Sequence, residues 1–284
     1  MMKINRVGVV GCGTMGSGIA HVCAQAGYTV TVSEVSEDLL KKGLATINSF
    51  LSKAVEKQKI TPQDRDATLT RIKGTTSFND FSYCDLVIEA AIENLDPKKK
   101  IFTELDRICP RHAILASNTS GLPVIEMAMA TSRPDRVLGL HFFNPAPVMK
   151  LLEVVRTIAT SDETLETAKE FGKSIGKTVV VAKDTPGFIV NRLMLPELLN
   201  AVRMLEVGVA TREDIDNAVV LGLNHPMGPL TLADLVGLDV ILSLANTLYN
   251  EFKDPQFAPP VLLIRMVSAG WLGRKKGKGF YEYK

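Results

Sequence analysis

The chain has 284 residues, enough for one large or two modest domains with hydrophobic cores of their own. Hydrophobic residues make up 46% and charged residues 23%, which excludes the disordered, collagen-like and coiled-coil classes. The net charge of +2, from 33 basic and 31 acidic side chains, argues against a dedicated nucleic-acid-binding protein.

The first 184 residues alternate short β-branched runs with longer amphipathic stretches, which is typical of a parallel sheet covered by helices. The predicted strands are residues 7–10, 29–33, 86–90, 114–117, 137–141 and 177–181. The predicted helices are residues 16–26, 37–58 and 98–105. The last of these begins after Pro97, at a position that tolerates proline. This pattern predicts a Rossmann-type α/β fold with a doubly wound, mostly parallel sheet.

After residue 184 the pattern becomes purely helical. Thr185 and Pro186 form a helix-start signal, with Thr185 as the N-cap and Pro186 at the first helical position. A second start signal follows at Thr211. Further predicted helices are residues 230–252 and 260–268. We therefore predict two domains, the α/β domain over residues 1–184 and an all-helical domain over residues 185–284.

A glycine-rich sequence, GCGTMG, begins at Gly11 between a predicted strand and a predicted helix. This is the context that a dinucleotide-binding fingerprint requires. Gly11 would allow a tight turn, Gly13 would let the backbone approach a pyrophosphate, and Gly16 would let helix and strand pack closely. The start of the helix, at Thr14 and Met15, would offer free N–H groups to the phosphates.

An acidic residue, Glu34, follows the second predicted strand, where it can accept hydrogen bonds from both ribose hydroxyls of a dinucleotide. Because a carboxylate repels a 2′-phosphate at this position, we expect NAD in preference to NADP. FAD shares the fingerprint and is an alternative. So is a glycine-rich turn without a ligand, with Glu34 as a surface charge.

Among the four histidines, His141 stands out because it ends a predicted strand, where ligands bind in doubly wound sheets. We expect His21 and His112 to be structural or surface residues, and His225 to lie in a loop of the helical domain. Glu153 lies in the apolar run LLEVV and would be costly to bury without a partner. Pairing with His141 would satisfy both groups and select one imidazole tautomer. The alternative places Glu153 on the solvated face of an edge strand.

The sequence around these two residues, GLHFFNPAPVMKLLEV, resembles the signature of the short-chain L-3-hydroxyacyl-CoA dehydrogenase family. It is most similar to the bacterial members called 3-hydroxybutyryl-CoA dehydrogenases. Further matching segments are residues 11–16, 116–120, 183–192 and 225–229. The resemblance implies an NAD-linked interconversion of (S)-3-hydroxyacyl-CoA and 3-oxoacyl-CoA, on short chains such as hydroxybutyryl-CoA.

The resemblance also implies roles for individual residues. The implied catalytic base is His141, its orienting carboxylate is Glu153, and the implied substrate-binding residues are Ser120 and Asn191. The implied cofactor contacts beside the glycine loop are Glu34, Glu93, Lys98 and Asn118. The implied partners of the CoA phosphates are Lys57 and, one turn away, Lys53. Gly121 stands where many members have a second serine, which puts a role for that hydroxyl in doubt.

Simpler explanations exist for several of these residues. Ser120 alone could be a turn hydroxyl and Asn191 a surface amide in the middle of a helix. Lys53 and Lys57 could lie on a solvated helix face. A surface pair at the turn before the third predicted helix would account equally well for the other two charged candidates, Glu93 and Lys98.

Because Asn191 belongs to the helical domain, we expect the active site in the cleft between the two domains. The resemblance implies a homodimer through the helical domain. Two domains of this size use the whole length, so we expect a stand-alone dehydrogenase without a fused hydratase domain.

Two other functions are alternatives to this one. A two-domain 3-hydroxyacid dehydrogenase acting on a free acid would use a lysine on the first helix of its second domain. Residues 187–192 offer Asn191 and Arg192 but no lysine, which disfavours it. A non-catalytic relative, as in crystallins recruited from this family, would not need the four site residues that this chain keeps together, Ser120, His141, Glu153 and Asn191.

The four cysteines form no Cys-x-x-Cys pair, so we expect neither a zinc site nor a disulfide framework. The sequence shows no targeting signal, and no apolar run approaches the roughly 18 residues that a membrane span needs. We therefore expect a cytoplasmic protein that binds neither nucleic acid nor membranes, and the resemblance implies an acyl-CoA substrate.

Overall fold

The computed structural model describes residues 2–283 of the chain. The chain divides into two compact units, Met1–Thr185 and Pro186–Lys284. Each unit has its own hydrophobic core: in the first it lies between the sheet and its helices, and in the second among the helices alone. The predicted fold class, a doubly wound sheet followed by a helical region, is confirmed.

One eight-stranded sheet forms the centre of the first unit. Its strands are β1 (Arg6–Val10), β2 (Thr29–Ser33), β3 (Ile72–Thr75), β4 (Leu86–Glu89), β5 (Ile114–Ser117), β6 (Val137–Phe142), β7 (Leu151–Arg156) and β8 (Thr178–Lys183). Their order is β3-β2-β1-β4-β5-β6-β7-β8, and β6 with β7 is the antiparallel pair. All six predicted strands are present, with ends that differ by at most a few residues. The order reverses between β1 and β4, which is where doubly wound sheets bind ligands.

Six α-helices accompany this sheet in the described part of the first unit. They are α1 (Thr14–Gln25), α2 (Glu37–Glu56), α3 (Pro62–Thr70), α4 (Leu95–Ile108), α5 (Val124–Ala128) and α6 (Asp162–Ser174). The predicted start of α4 after Pro97 is wrong, because the side chain of Asn94 accepts the N–H of Asp96 and caps the helix earlier. Proline therefore occupies the third helical position, where its missing N–H costs no intrahelical bond.

The second unit contains five α-helices among its described residues: α7 (Val190–Glu206), α8 (Arg212–Gly222), α9 (Pro229–Val236), α10 (Leu238–Phe252) and α11 (Val261–Ser268). The predicted helix start at Thr185 is wrong. Gly187 and Phe188 both have positive φ angles, of 76° and 46°, so the backbone leaves the helical region before α7 begins. Asp184, beside the predicted cap, instead accepts the N–H groups of Val124 and Ile125 at the start of α5.

The predicted helix over residues 230–252 is also wrong, because two helices occupy this segment. Gly237, with φ of 105°, separates α9 from α10, and the two axes differ by 96°. Within residues 2–283, no single helix has the length and apolar character of a membrane span, although α9 and α10 reach both criteria when taken together.

Candidate active site

The glycine-rich loop connects β1 to α1 with a geometry that needs two of its glycines. Gly11 has a φ of 92°, in the left-handed region that favours glycine. A Cβ at Gly16 would lie 1.8 Å from the Gly11 carbonyl oxygen, so helix and loop pack too closely for any side chain. A Cβ at Gly13, by contrast, would meet no described atom within 4 Å. The loop is therefore tight on its inner side and open at Gly13.

A cavity of about 420 Å³ lies beside this loop. Gly13, Thr14 and the carboxylate-bearing Glu34, which directly follows β2, are among its lining residues. In the part of the chain that the structure describes, no side chain caps α1 at Gly13, so its first N–H groups can receive an anion. An open loop, an uncapped helix start and a carboxylate on the ribose side together fit a dinucleotide without a 2′-phosphate.

His141 and Glu153 face each other across the antiparallel pair of β6 and β7. They are directly opposed in the strand register, and Nδ1 of His141 lies 2.6 Å from Oε2 of Glu153. Glu153 is fully buried and β7 lies inside the sheet, which excludes the solvated edge strand considered above. The ring of Phe143 packs on the imidazole with a centroid separation of 4.5 Å. Glu153 on β7 and Phe143, which follows β6, thus both contact the imidazole at the carboxyl end of β6.

Asn118 joins the ends of three neighbouring strands beside this pair. It follows β5 directly, and its Oδ1 accepts the N–H of Phe142, the residue after His141. Its own N–H donates to the carbonyl oxygen of Glu89 at the end of β4. Asn118 therefore ties the carboxyl ends of β4, β5 and β6 together at the edge that carries His141.

Glu93 holds the segment that follows Asn118. One of its oxygens, Oε1, accepts the Thr119 hydroxyl at 2.5 Å, the Ser120 N–H at 2.9 Å and the Ser120 hydroxyl at 3.3 Å. Its other oxygen lies 3.4 Å from the ammonium of Lys98. Because Lys98 is only 1% exposed, the alternative of a surface pair is excluded. Glu93, Thr119 and Lys98 therefore form one network with the half-buried Ser120.

Two buried charged residues near the site were missed by the sequence reasoning. Glu89, the last residue of β4, accepts the Lys98 ammonium at 2.6 Å and is fully buried. Lys177 donates to the carbonyl oxygens of Ala146 and Met149, at 2.5 and 2.7 Å, and so braces the loop that follows β6. Burial lowers the pKa of Lys177. The run LVIE could have signalled Glu89, since it shows the same carboxylate among aliphatic residues as LLEVV.

The remaining predicted site residues lie elsewhere in the fold. Asn191 is half-buried in the first turn of α7 in the second unit. Lys53 and Lys57 are exposed at the C-terminal end of α2, on the helix face that carries Phe50, a lining residue of the cavity. Met15 is half-buried in the first turn of α1.

The other histidines have different surroundings. His21 is buried in α1 and lines the cavity, and burial lowers its pKa to about 4. His112 lies 3.2 Å from Asp85, and His225 lies 3.3 Å from Glu197. All four cysteines are buried and unpaired. Among residues 2–283, no three His, Cys, Asp or Glu side chains gather as a metal site would require.

Comparison with known proteins gives matches over both units. Residues 6–185 match the family model described as 3-hydroxyacyl-CoA dehydrogenase, NAD binding domain, and residues 187–283 match the C-terminal domain of the same enzyme family. A 3-hydroxybutyryl-CoA dehydrogenase of Mycobacterium tuberculosis is 52% identical over 282 residues, covering 99% of each chain.

Solved structures agree with these sequence matches. The crystal structure of Mycobacterium tuberculosis FadB2 is 52% identical, covers 100% of both chains and has a TM-score of 0.98. The structure of (S)-3-hydroxybutyryl-CoA dehydrogenase PaaH1 from Ralstonia eutropha is 46% identical, with a TM-score of 0.96 over 99% of this chain and 100% of that one.

Proposed function

The chain belongs to the 3-hydroxyacyl-CoA dehydrogenase family of NAD-dependent oxidoreductases, and from this premise we propose that it interconverts (S)-3-hydroxybutyryl-CoA and acetoacetyl-CoA. The observation that carries the proposal is the His141–Glu153 pair, with Nδ1 and Oε2 2.6 Å apart, at the carboxyl ends of the parallel strands, where the glycine loop also lies. The names of the relatives support the substrate.

His141 is the proposed general acid and base. Because its Nδ1–H donates to Glu153, Nε2 carries the lone pair of the neutral ring and can accept the proton of the substrate 3-hydroxyl. In the reverse direction the same Nε2 returns a proton to the 3-oxo oxygen. The Glu153 charge favours the imidazolium that forms in between. When bound, NAD exchanges a hydride with C3 of the substrate.

The other site residues are proposed to bind and orient. Ser120 and Asn191 would hold the substrate oxygen, each worth about 2.7–4 kcal/mol in the transition state if it acts as an oxyanion donor. Exposed Lys53 and Lys57 would meet the CoA phosphates. The proposed cofactor contacts are Gly11, Gly13, Thr14, Met15, Gly16, Glu34, Glu93 and Asn118, with Lys98 acting from behind Glu93.

We further propose a homodimer formed through the second unit. Leu193 on α7, Val207 after it and Leu221 on α8 are strongly exposed apolar side chains, which would gain from burial. Light scattering at several protein concentrations tests this, and a monomer at every concentration would refute it. The cytoplasmic location expected from the sequence stays a prediction.

The direct test follows the loss of NADH absorbance with acetoacetyl-CoA, free acetoacetate or longer 3-oxoacyl-CoA thioesters as substrate. We expect turnover with acetoacetyl-CoA, and a loss of about 100-fold or more in kcat in His141→Ala. His112→Ala, which alters an exposed histidine, is the matched control. Faster turnover of the free acid would favour the hydroxyacid rival, and a fully active His141→Ala would remove the proposed base.

A further inference from the structure

Glu89 is a fully buried carboxylate with three donors around it. Its Oε1 accepts the Lys98 ammonium at 2.6 Å and the Ala91 N–H at 2.7 Å, while its Oε2 accepts the Ser117 hydroxyl at 2.7 Å. A buried carboxylate is costly unless it is paired in this way. The side chain is therefore held firmly at the end of β4, one strand away from the strand that leads to Ser120.

Lys98 links this carboxylate to a second one. Its ammonium lies 2.6 Å from Glu89 and 3.4 Å from Oε2 of Glu93, so two carboxylates share one buried cation. Glu93 Oε1 points the other way and accepts the N–H and hydroxyl of Ser120. Glu93 therefore lies between the Lys98 ammonium and Ser120, with one oxygen toward each.

We propose that Glu89 is a positioning residue for the Ser120 hydroxyl and acts on it through Lys98 and Glu93. The negative charge of Glu89 draws the ammonium toward β4 and keeps Glu93 from collapsing onto it. Without that charge, Lys98 would pair with Glu93 alone and pull it away from Ser120. The inference rests on the proposed function to the extent that Ser120 contacts the substrate.

A double-mutant cycle distinguishes this positioning role of Glu89 from a purely structural role. Glu89→Gln removes the charge and keeps the size of the side chain. If Glu89 acts through the Ser120 hydroxyl, the substitution should cost about tenfold in kcat with acetoacetyl-CoA and less than about twofold in a Ser120→Ala background. A structural role would lower kcat by the same factor in both backgrounds, and that result would overturn the proposal.

The control removes an exposed ion pair that involves Lys99, the neighbour of Lys98 on α4. Glu126→Gln breaks the exposed contact to Lys99, 3.0 Å long, and should leave kcat unchanged within about twofold. If Glu89→Gln does not fold, Glu89→Gln combined with Lys98→Met removes both buried charges. Because no ammonium then pulls on Glu93, the Ser120 hydroxyl should keep its 3.3 Å contact with Glu93 in a crystal structure of this double variant, and loss of the contact would overturn the proposal.

A crystal structure of Glu89→Gln tests the proposal without any activity. The Ser120 hydroxyl should move away from Glu93, whereas retention of the 3.3 Å contact would overturn the inference. A wild-type protein without turnover of acetoacetyl-CoA would refute the proposed function, and the displacement of Ser120 would then decide the inference by itself.

Discussion

Glu153→Gln is the substitution that most directly tests how the catalytic pair works. It removes one negative charge next to His141 and leaves the size of the buried side chain almost unchanged. The two residues are directly opposed on β6 and β7, so the backbone prevents the glutamine from moving away. The loss of the charge is therefore felt at the imidazole itself.

The expected cost follows from the geometry of the pair. With charge centres about 4 Å apart and an effective dielectric constant of about 20, the carboxylate stabilises a full imidazolium by about 4 kcal/mol. A transition state that carries half of the proton charge would lose about 2 kcal/mol, or about 30-fold in kcat, and a full charge about 1000-fold. We expect a loss between these two values.

The assay is the gain of NADH absorbance with saturating (S)-3-hydroxybutyryl-CoA and NAD, because in this direction the neutral imidazole takes up the proton. A thermal melt shows that the variant is folded. The control is Glu166→Gln, which removes an exposed carboxylate 2.7 Å from Lys169 and should not change kcat. A folded Glu153→Gln with kcat within about twofold of the wild type would refute the reasoning, because the barrier would then be insensitive to the buried charge.

Three further predictions concern binding and stability. Gly16→Ala should weaken NADH binding at least about tenfold in a calorimetric titration, because its Cβ would lie 1.8 Å from a backbone oxygen. In the control variant Gly222→Ala the added Cβ would meet no described atom within 4 Å, so NADH binding should stay normal. Equal NADH affinities of the two variants would contradict the packing argument. His21 has a pKa lowered by burial from 6.5 to about 4, so the unfolded chain gains a proton first as the pH falls, and the stability present above pH 6.5 is lost. Between pH 7 and pH 4.5, the free energy of unfolding in urea should fall by about 2.5 kcal/mol less in His21→Gln than in the wild type. Equal falls in the two proteins would exclude His21 as the source of the pH dependence. Lys177→Met should lower the free energy of unfolding by about 2 kcal/mol, because the buried contact to the Ala146 carbonyl and the partly buried contact to the Met149 carbonyl are lost. Exposed Lys150→Met should not, and a similar loss in both variants would refute a specific brace.

Much of the fold could be predicted from the sequence because its signals are local. Strands β2 and β5 were predicted at their observed bounds, since each is a short β-branched or aliphatic run between helical stretches. Strand β3 was missed because Ile72–Thr75 is short and contains a glycine, which weakens the strand signal. The helix predicted over residues 230–252 was wrong because the apolar period continues through Gly237, whose positive φ alone breaks the helix.

The candidate site shows where local signals end. The sequence indicated that Glu153 needs a partner and that His141 stands at the end of a strand, but the 2.6 Å contact depends on the antiparallel register of β6 and β7. Glu89 was not predicted as a site residue, although its aliphatic neighbours indicate a buried carboxylate. Its partners Lys98 and Ser117 come from other elements of the first unit, and nothing in their spacing links them to it.

The sequence by itself determined the α/β-then-helical organisation, the glycine loop with its acidic companion Glu34, and the family. These features rest on the spacing of neighbouring residues, which a linear pattern records. Only the tertiary structure decided that Glu153 is buried against His141 and that Lys98 is shared between Glu89 and Glu93. Such pairings arise because strand order and register bring distant residues into a dry interior, where a charge must find a partner.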